Sequence, residues 1–228
     1  MKSLRMGVAL AASLVAGSAL ADATARYEVT IVNITKGMTF TPQLVVGHRS
    51  SVQLFELGEP ALDELGILAE SGDTAPLTGV LLGAGSAVKG VETIPGTIAP
   101  GDYASIEIDA PRRNGRLSIA AMLIPSNDTF VALNGVPLPR RGSAVYSAKA
   151  YDSGTELNDQ RCVHIPGGGP CVDGEGTSAS ADTDEGYVYV GNGIHELGDV
   201  DEDGEPVIGP LNYDWRNPVA RVTVRRLY

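Results

Sequence analysis

Cations, aromatics, histidines and cysteines are all scarce in this chain, and each shortage removes a class of function. Asp and Glu outnumber Lys and Arg by 28 to 17, for a formal charge of -11. A surface of that sign repels nucleic-acid phosphates and suits divalent cations or basic partners, so no nucleic-acid partner is expected. Aromatic residues make up 5% of the chain, with Trp215 the single tryptophan, which leaves little from which to build the stacking platforms of a glycosidase cleft. The three histidines, His48, His164 and His195, are too scattered to form a metal triad. No G-x-S-x-G or H-E-x-x-H occurs, and GAGSAVKG (83–90) lacks the Lys-Ser/Thr pair of a phosphate loop, with Val91 standing after its second glycine. That glycine-rich stretch reads as a flexible loop, and the chain as a non-enzyme.

No apolar run reaches the roughly 20 residues of a transmembrane span, and no transmembrane segment is expected. The opening MKSLRMGVALAASLVAGSALADA instead has the parts of a secretory signal peptide. Lys2 and Arg5 precede a short apolar run from Gly7 to Gly17, and Ala19-Leu20-Ala21 gives a small-residue cleavage site. Residues 1–21 are therefore set aside as a signal peptide, and 22–228 as one exported domain, secreted or held in the periplasm or cell envelope. The length suits a single all-β domain with a full core. In an oxidising compartment the two cysteines, Cys162 and Cys171 in CVHIPGGGPC, are expected to close a small loop as a disulfide.

Alternation of period two recurs in RYEVTIV (26–32), DYASIEI (102–108), RLSIAAMLI (116–124), SAVYSAKAY (143–151), GYVYV (186–190) and VARVTVRRL (219–227). Gly, Pro, Asn, Asp and Ser cluster between these runs, the punctuation of a sandwich or barrel. One short helix is predicted over EPALDELGILAESG (59–72), on the sandwich edge, where Leu62, Leu65 and Leu68 recur at helical spacing before Gly72. Residues 167–185 read as a long exposed loop, and GDVDEDGEPVIG (198–209) as an acidic insertion between the last two strands.

Carboxylates in irregular loops are the ligands calcium favours. In YDSGTE (151–156), Ser153, Gly154 and Thr155 allow a bend that turns Asp152 and Glu156 toward one point, and IPSNDTF (124–130) offers Asp128 from another loop. A pair of Asx turns explains the same residues without metal. In GDVDEDGE, Asp199, Asp201, Asp203 and Gly204 reproduce the opening of a calcium loop, though Pro210 stands where its twelfth-position Glu would be. This is a candidate second site, with an acidic solvated hairpin as the alternative. For Trp215, anchoring the terminal strand in the core is the expectation, and a binding platform the alternative.

LIPSNDTFVALNGV (123–136) followed by AYDSGTE (150–156) resembles the paired signature of the spondin domain, found in F-spondin and mindin. VVGHRSSVQLFELGEPALDELGILAESGD (45–73) is similar to that family's loop-plus-helix region, and NPVARVTVRRL (217–227) to its last strand. The resemblance implies an antiparallel β-sandwich of about eight strands, C2-like, with a calcium or other divalent site at one end, and suggests a stand-alone bacterial member. Carried over residue by residue, the ligands fall on Asp128, Asp152 and Glu156, with Glu107 as a further acidic ligand and Asp109 as its rival. Asn127-Asp128-Thr129 departs from the family's Pro-Asp-Trp, and Glu156 stands for an Asp. The implied function is a non-catalytic, calcium-binding adhesion or recognition module with an extracellular or cell-surface protein or glycan as partner. Two alternatives remain. A C2-like module would bind lipid peripherally, with Pro139-Arg140-Arg141 as the basic element beside the ion; a metal-assisted hydrolase would need a cleft and an organised base.

Overall fold

The computed structural model describes residues 23–176, 185–195 and 198–228. Residues 1–21, expected to form a signal peptide, lie outside the described residues, as does part of the segment expected to be a loop over 167–185. Strands dominate. In chain order they are β1 (Thr24–Asn33), β2 (Thr39–Phe40), β3 (Gln43–His48), β4 (Val88–Ile94), β5 (Tyr103–Pro111), β6 (Arg116–Ile124), β7 (Thr129–Pro137), β8 (Ser143–Asp152), β9 (Pro166–Gly168), β10 (Cys171–Glu175), β11 (Tyr189–Val190) and β12 (Ala220–Arg226). Helices α1 (Asp63–Ser71) and α2 (Ala75–Gly83) separate β3 from β4, and a single turn, α3 (Pro210–Tyr213), precedes β12.

Eight strands run antiparallel in the order β4-β3-β6-β7-β8-β12-β1-β5, with β2 added to β6 and β11 to β8. The sheet curls until β5 returns against β3 and β4, which nearly closes it. Glycine permits that closure: a Cβ at Gly47 or Gly90 would sit 2.2 or 2.5 Å from the Asp109 carbonyl oxygen. The expectation of an all-β, eight-stranded sandwich is met in this nearly closed form.

Two apolar layers follow from the pleat. Inward residues of all eight strands of the main sheet, among them Tyr27, Val29, Val45, Ile108, Leu117, Ile119, Val131 and Val222, form the interior core. On the outer face of β3, β6 and β7, Leu44, Val46, Ala120, Phe130 and Ala132 pack under Leu65, Leu68 and Ala69 of α1 and Leu77 and Leu81 of α2. Leu65, Leu68 and Ala69 recur at the helical three-to-four spacing, so α1 lays one stripe on the sheet. It stops at Gly72, whose left-handed φ of 73° turns the chain while its N–H bonds the Leu68 carbonyl.

Three expectations are corrected. The 59–72 region yields the helix, but a second follows, and together they cover a sheet face rather than decorate an edge. GAGSAVKG is no loose loop: Gly83 ends α2, and Val88–Gly90 open β4. The 167–185 segment begins as a hairpin, with β9 and β10 paired beside the Cys162–Cys171 disulfide, whose Cα atoms are 5.0 Å apart. Trp215 is 7% exposed and belongs to the interior core, so it anchors the terminal strand and offers no platform.

Candidate metal centre

Two chain reversals meet at one end of the barrel. Asp128 closes the β6–β7 turn and Asp152 is the last residue of β8, with Thr129 opposite Asp152 across the ladder. Along β8 the alternation that buries Ala148 and Ala150 carries on to Asp152, so a carboxylate caps the end of an apolar face. Asp128, Asp152 and Glu156 are 0, 2 and 1% exposed.

The YDSGTE bend works through Gly154. Its φ is +67°, and a Cβ there would stand 2.3 Å from the Tyr187 carbonyl oxygen, so conformation and close packing both demand glycine. The Gly154 N–H donates to Asp152 Oδ1 at 2.9 Å. Asp128 Oδ2 accepts from the Ser153 hydroxyl at 2.9 Å, the Thr155 N–H at 2.8 Å and the Glu156 N–H at 3.2 Å. The Asp152–Gly154 bond is the Asx turn of the metal-free reading, whereas the Asp128 bonds cross to another loop and wrap the 153–156 backbone around one carboxylate oxygen. Asp128 Oδ1 is buried and accepts no hydrogen bond.

Electrostatics separate this corner from an ordinary turn. Burial pushes the Asp128 carboxyl up, against the pull of its hydrogen bonds to Thr155, Ser153 and Glu156; the Glu185 charge raises it further. Asp152 is pushed up to about 8, first by burial and then by the Asp128 charge, although Asn158, Gly154 and Tyr189 hydrogen bond to it. Glu70 of α1 is raised by burial and by Asp128, and burial beside Asp152 raises the Tyr189 phenol. Carboxylates crowded in low dielectric repel one another and hold protons.

Asp128, Asp152 and Glu156 are thus brought to the same corner. Among the described residues, no three His, Cys, Asp or Glu side chains already stand at metal-ligand spacing, so gathering oxygens around an ion requires side-chain rotation. Glu107 is not brought there. Through the ladders it lies opposite Glu28, Glu28 opposite Arg225, and Arg225 opposite Ser143, the first residue of β8. Asp152 ends that strand, nine residues or about 30 Å away. Glu107 and its rival Asp109 pair instead with Arg26, at 3.0 and 3.2 Å. Pro139-Arg140-Arg141 also lies at that far end, in the β7–β8 turn, so the basic element of the lipid-bridging alternative is not beside the acidic corner.

The GDVDEDGE carboxylates serve local structure. Asp199 Oδ2 accepts the Cys162 N–H at 2.8 Å, tying the insertion to the disulfide loop. Asp201 Oδ1 accepts the N–H groups of Asp203 and Glu205 at 3.0 Å each, and Asp203 is exposed. The histidines with side-chain contacts are structural too: His164 Nδ1 lies 2.7 Å from Asp159, and His48 lies between Ser118 Oγ and the Arg49 carbonyl.

Sequence reasoning missed Asn158, Tyr189, Glu70 and Glu185. Asn158 donates to Asp152 Oδ2 at 2.9 Å and to the Tyr189 hydroxyl at 3.0 Å, fixing both around the corner. The adjacent DSGTELN run held Asn158 in view; the other three arrive by tertiary folding and carry no local signal.

No helix among the described residues is long and apolar enough to cross a membrane. No curated protein matches the chain. A family described as Spondin_N matches residues 33–157, a span that contains β2 to β8, both helices and the three carboxylates of the corner. That family is in general a non-enzymatic module of extracellular type. With more than half its length matched, including the Asp128 turn and the YDSGTE bend, the chain belongs to the Spondin_N family.

Proposed function

We propose that this chain is an exported, non-catalytic recognition module whose Asp128, Asp152 and Glu156 hold a calcium ion that fixes its loops. The observation that carries the reading is the Asp128–Asp152 pair: two buried carboxylates, one just before β7 and one at the end of the neighbouring β8, each raised by desolvation, with one oxygen of Asp128 lacking a hydrogen-bond partner. All the candidate donors are hard oxygens, the set that calcium prefers, and its tolerant shell accommodates the longer Glu156. A bound divalent cation would supply the charge that these carboxylates otherwise offset by taking up protons.

Burial of all three side chains favours an enclosed ion that staples the β6–β7 turn to the loop after β8, over an open coordination position for lipid or substrate. Recognition then falls to the surface that the ion orders. A groove of about 380 Å³ between α1 and this loop, lined by Pro60, Ile67, Glu70, Ser153 and Thr155, is the natural place for an extracellular protein or glycan partner. The disulfide and the signal-peptide pattern support export to a secreted or envelope location.

Calorimetric titration with calcium, then magnesium, tests the reading. The wild-type protein is expected to bind one calcium saturably and to prefer it to magnesium, and an Asp152→Ala, Glu156→Ala double variant to lose the heat. Absence of calcium binding by the folded wild type at millimolar concentration would refute it.

A further inference from the structure

The end of the barrel opposite the acidic corner carries the reverse charge. Arg112 and Arg113 occupy the β5–β6 turn, Arg116 begins β6, Arg140 and Arg141 occupy the β7–β8 turn, and Arg226 ends β12. Three hollows open there, of about 530, 510 and 150 Å³, and Arg112 and Arg140 line all of them. Among the described residues, no Asp or Glu lines any of the three.

Three arginines elsewhere find carboxylates: Arg26 pairs with Glu107 and Asp109, Arg225 with Glu28, and Arg161 with Asp199. The six at this end form no ion pair among the described residues. In a chain where anions outnumber cations 28 to 17, six guanidinium groups at one end without an ion pair among the described residues stand against the overall composition. Their mutual repulsion is a standing cost that an anion would relieve.

The frame is also fixed before any ligand arrives. Arg226 Nη1 donates to the Arg140 carbonyl at 2.7 Å and the Arg226 N–H to Gly142 at 2.9 Å, while the Arg112 N–H bonds the Ala23 carbonyl at 2.9 Å. These bonds tie the two arginine turns to the first and last strands of the barrel.

We propose that this arginine-lined cleft binds a ligand bearing clustered phosphate groups. Guanidinium forks match phosphate oxygens two at a time, and a phosphate monoester brings close to two charges and three acceptor oxygens to one point. A monovalent carboxylate gains less from a pooled field of several arginines. The concavity suits a discrete phosphate-bearing group that enters between the two turns. The negative remainder of the surface disfavours a long polyanion that would run beyond the cleft, which argues against nucleic acid.

Titration calorimetry with sodium tripolyphosphate at low ionic strength is the test. Saturable binding that weakens with added salt is expected. An Arg112→Gln, Arg140→Gln variant should bind about tenfold more weakly or worse, since each loses a charge-assisted contact. An Arg113→Gln, Arg141→Gln variant, altered only at exposed turn positions, guards against a folding defect in the first pair. Arg221→Gln, exposed near the start of β12 and away from the cleft, should bind as the wild type does. Co-sedimentation with phosphatidylcholine vesicles containing phosphatidic acid identifies the source: tripolyphosphate binding with sedimentation assigns a lipid headgroup, and without sedimentation a soluble phosphate compound. No tripolyphosphate binding by the folded wild type, undiminished binding by both double variants, or binding to heparin alone would overturn the proposal.

Discussion

Asp128, immediately before β7, and Asp152, the last residue of β8, lie at the same corner of the barrel, and the charge of the first helps to raise the carboxyl of the second to about 8. Without a cation the two destabilise each other when both are ionised. Asp152→Asn keeps the shape and removes one charge. In chelator at pH 8 the variant is expected to melt no lower than the wild type, or higher, and to lose any rise in melting temperature with calcium. A large drop in chelator would show that the carboxylate serves the fold by its hydrogen bonds alone.

The pH dependence follows from the same pair. The folded-state pKa of Asp152 is raised above its unfolded value, so its proton is held longer in the folded protein. The stability it contributes is present below the unfolded value of about 4 and is lost as pH rises through about 8. His48 acts in the opposite sense: its pKa is lowered, chiefly by burial, so its contribution is present above 6.5 and lost as pH falls. Between pH 6.5 and 8 the carboxyl effect is therefore read by itself. Melting in chelator should fall across that window, and calcium affinity should rise as protons cease to compete.

Reduction of the disulfide offers an independent check on the loop frame. Cys162 and Cys171 close a short loop, and Asp199 and Asp159 bond into it through the Cys162 N–H and His164. Replacing both cysteines by serine should cost about 2–4 kcal/mol in urea unfolding. Only the short β9–β10 hairpin belongs to this loop, and the ladders of the eight-stranded sheet lie outside it, so the far-ultraviolet spectrum should largely survive.

Barrel closure depends on close backbone approach at β3. Gly47→Ala would place a methyl 2.2 Å from the Asp109 carbonyl and 2.8 Å from the Ala110 side chain, both on β5. The expected cost is about 1–3 kcal/mol, the usual penalty for overpacking, measured by denaturant midpoint. An unchanged midpoint would mean that β5 does not bear on β3.

Most of the strands legible in the sequence have one open face, although β6, read from RLSIAAMLI, is buried on both. In β1, β8 and β12, buried residues alternate with less buried ones, and the period-two signal found them. β3 is buried at every position because Val45 faces the interior while Leu44 and Val46 lie under the helices, so no alternation exists to be read. α2 hid for a related reason: APLTGVLLG is apolar nearly throughout, and its exposed Val80 and Leu82 erase the helical stripe. The acidic corner was legible because its carboxylates sit beside turns, at 128 and 152–156. Glu107 shows where that reasoning stops, since its end of the barrel is set by register through three ladders. The arginine cleft was invisible for the same reason, being assembled from positions between 112 and 226.

The most direct measurement is anomalous diffraction from crystals grown with calcium and then exchanged into manganese. The account predicts one anomalous peak at the end of the barrel, ligated by oxygens of Asp128, Asp152 and Glu156, with the Asp128 Oδ1 atom among them. Crystals with no peak there, and with Asp128 and Asp152 still holding only their turn hydrogen bonds at saturating metal, would contradict it.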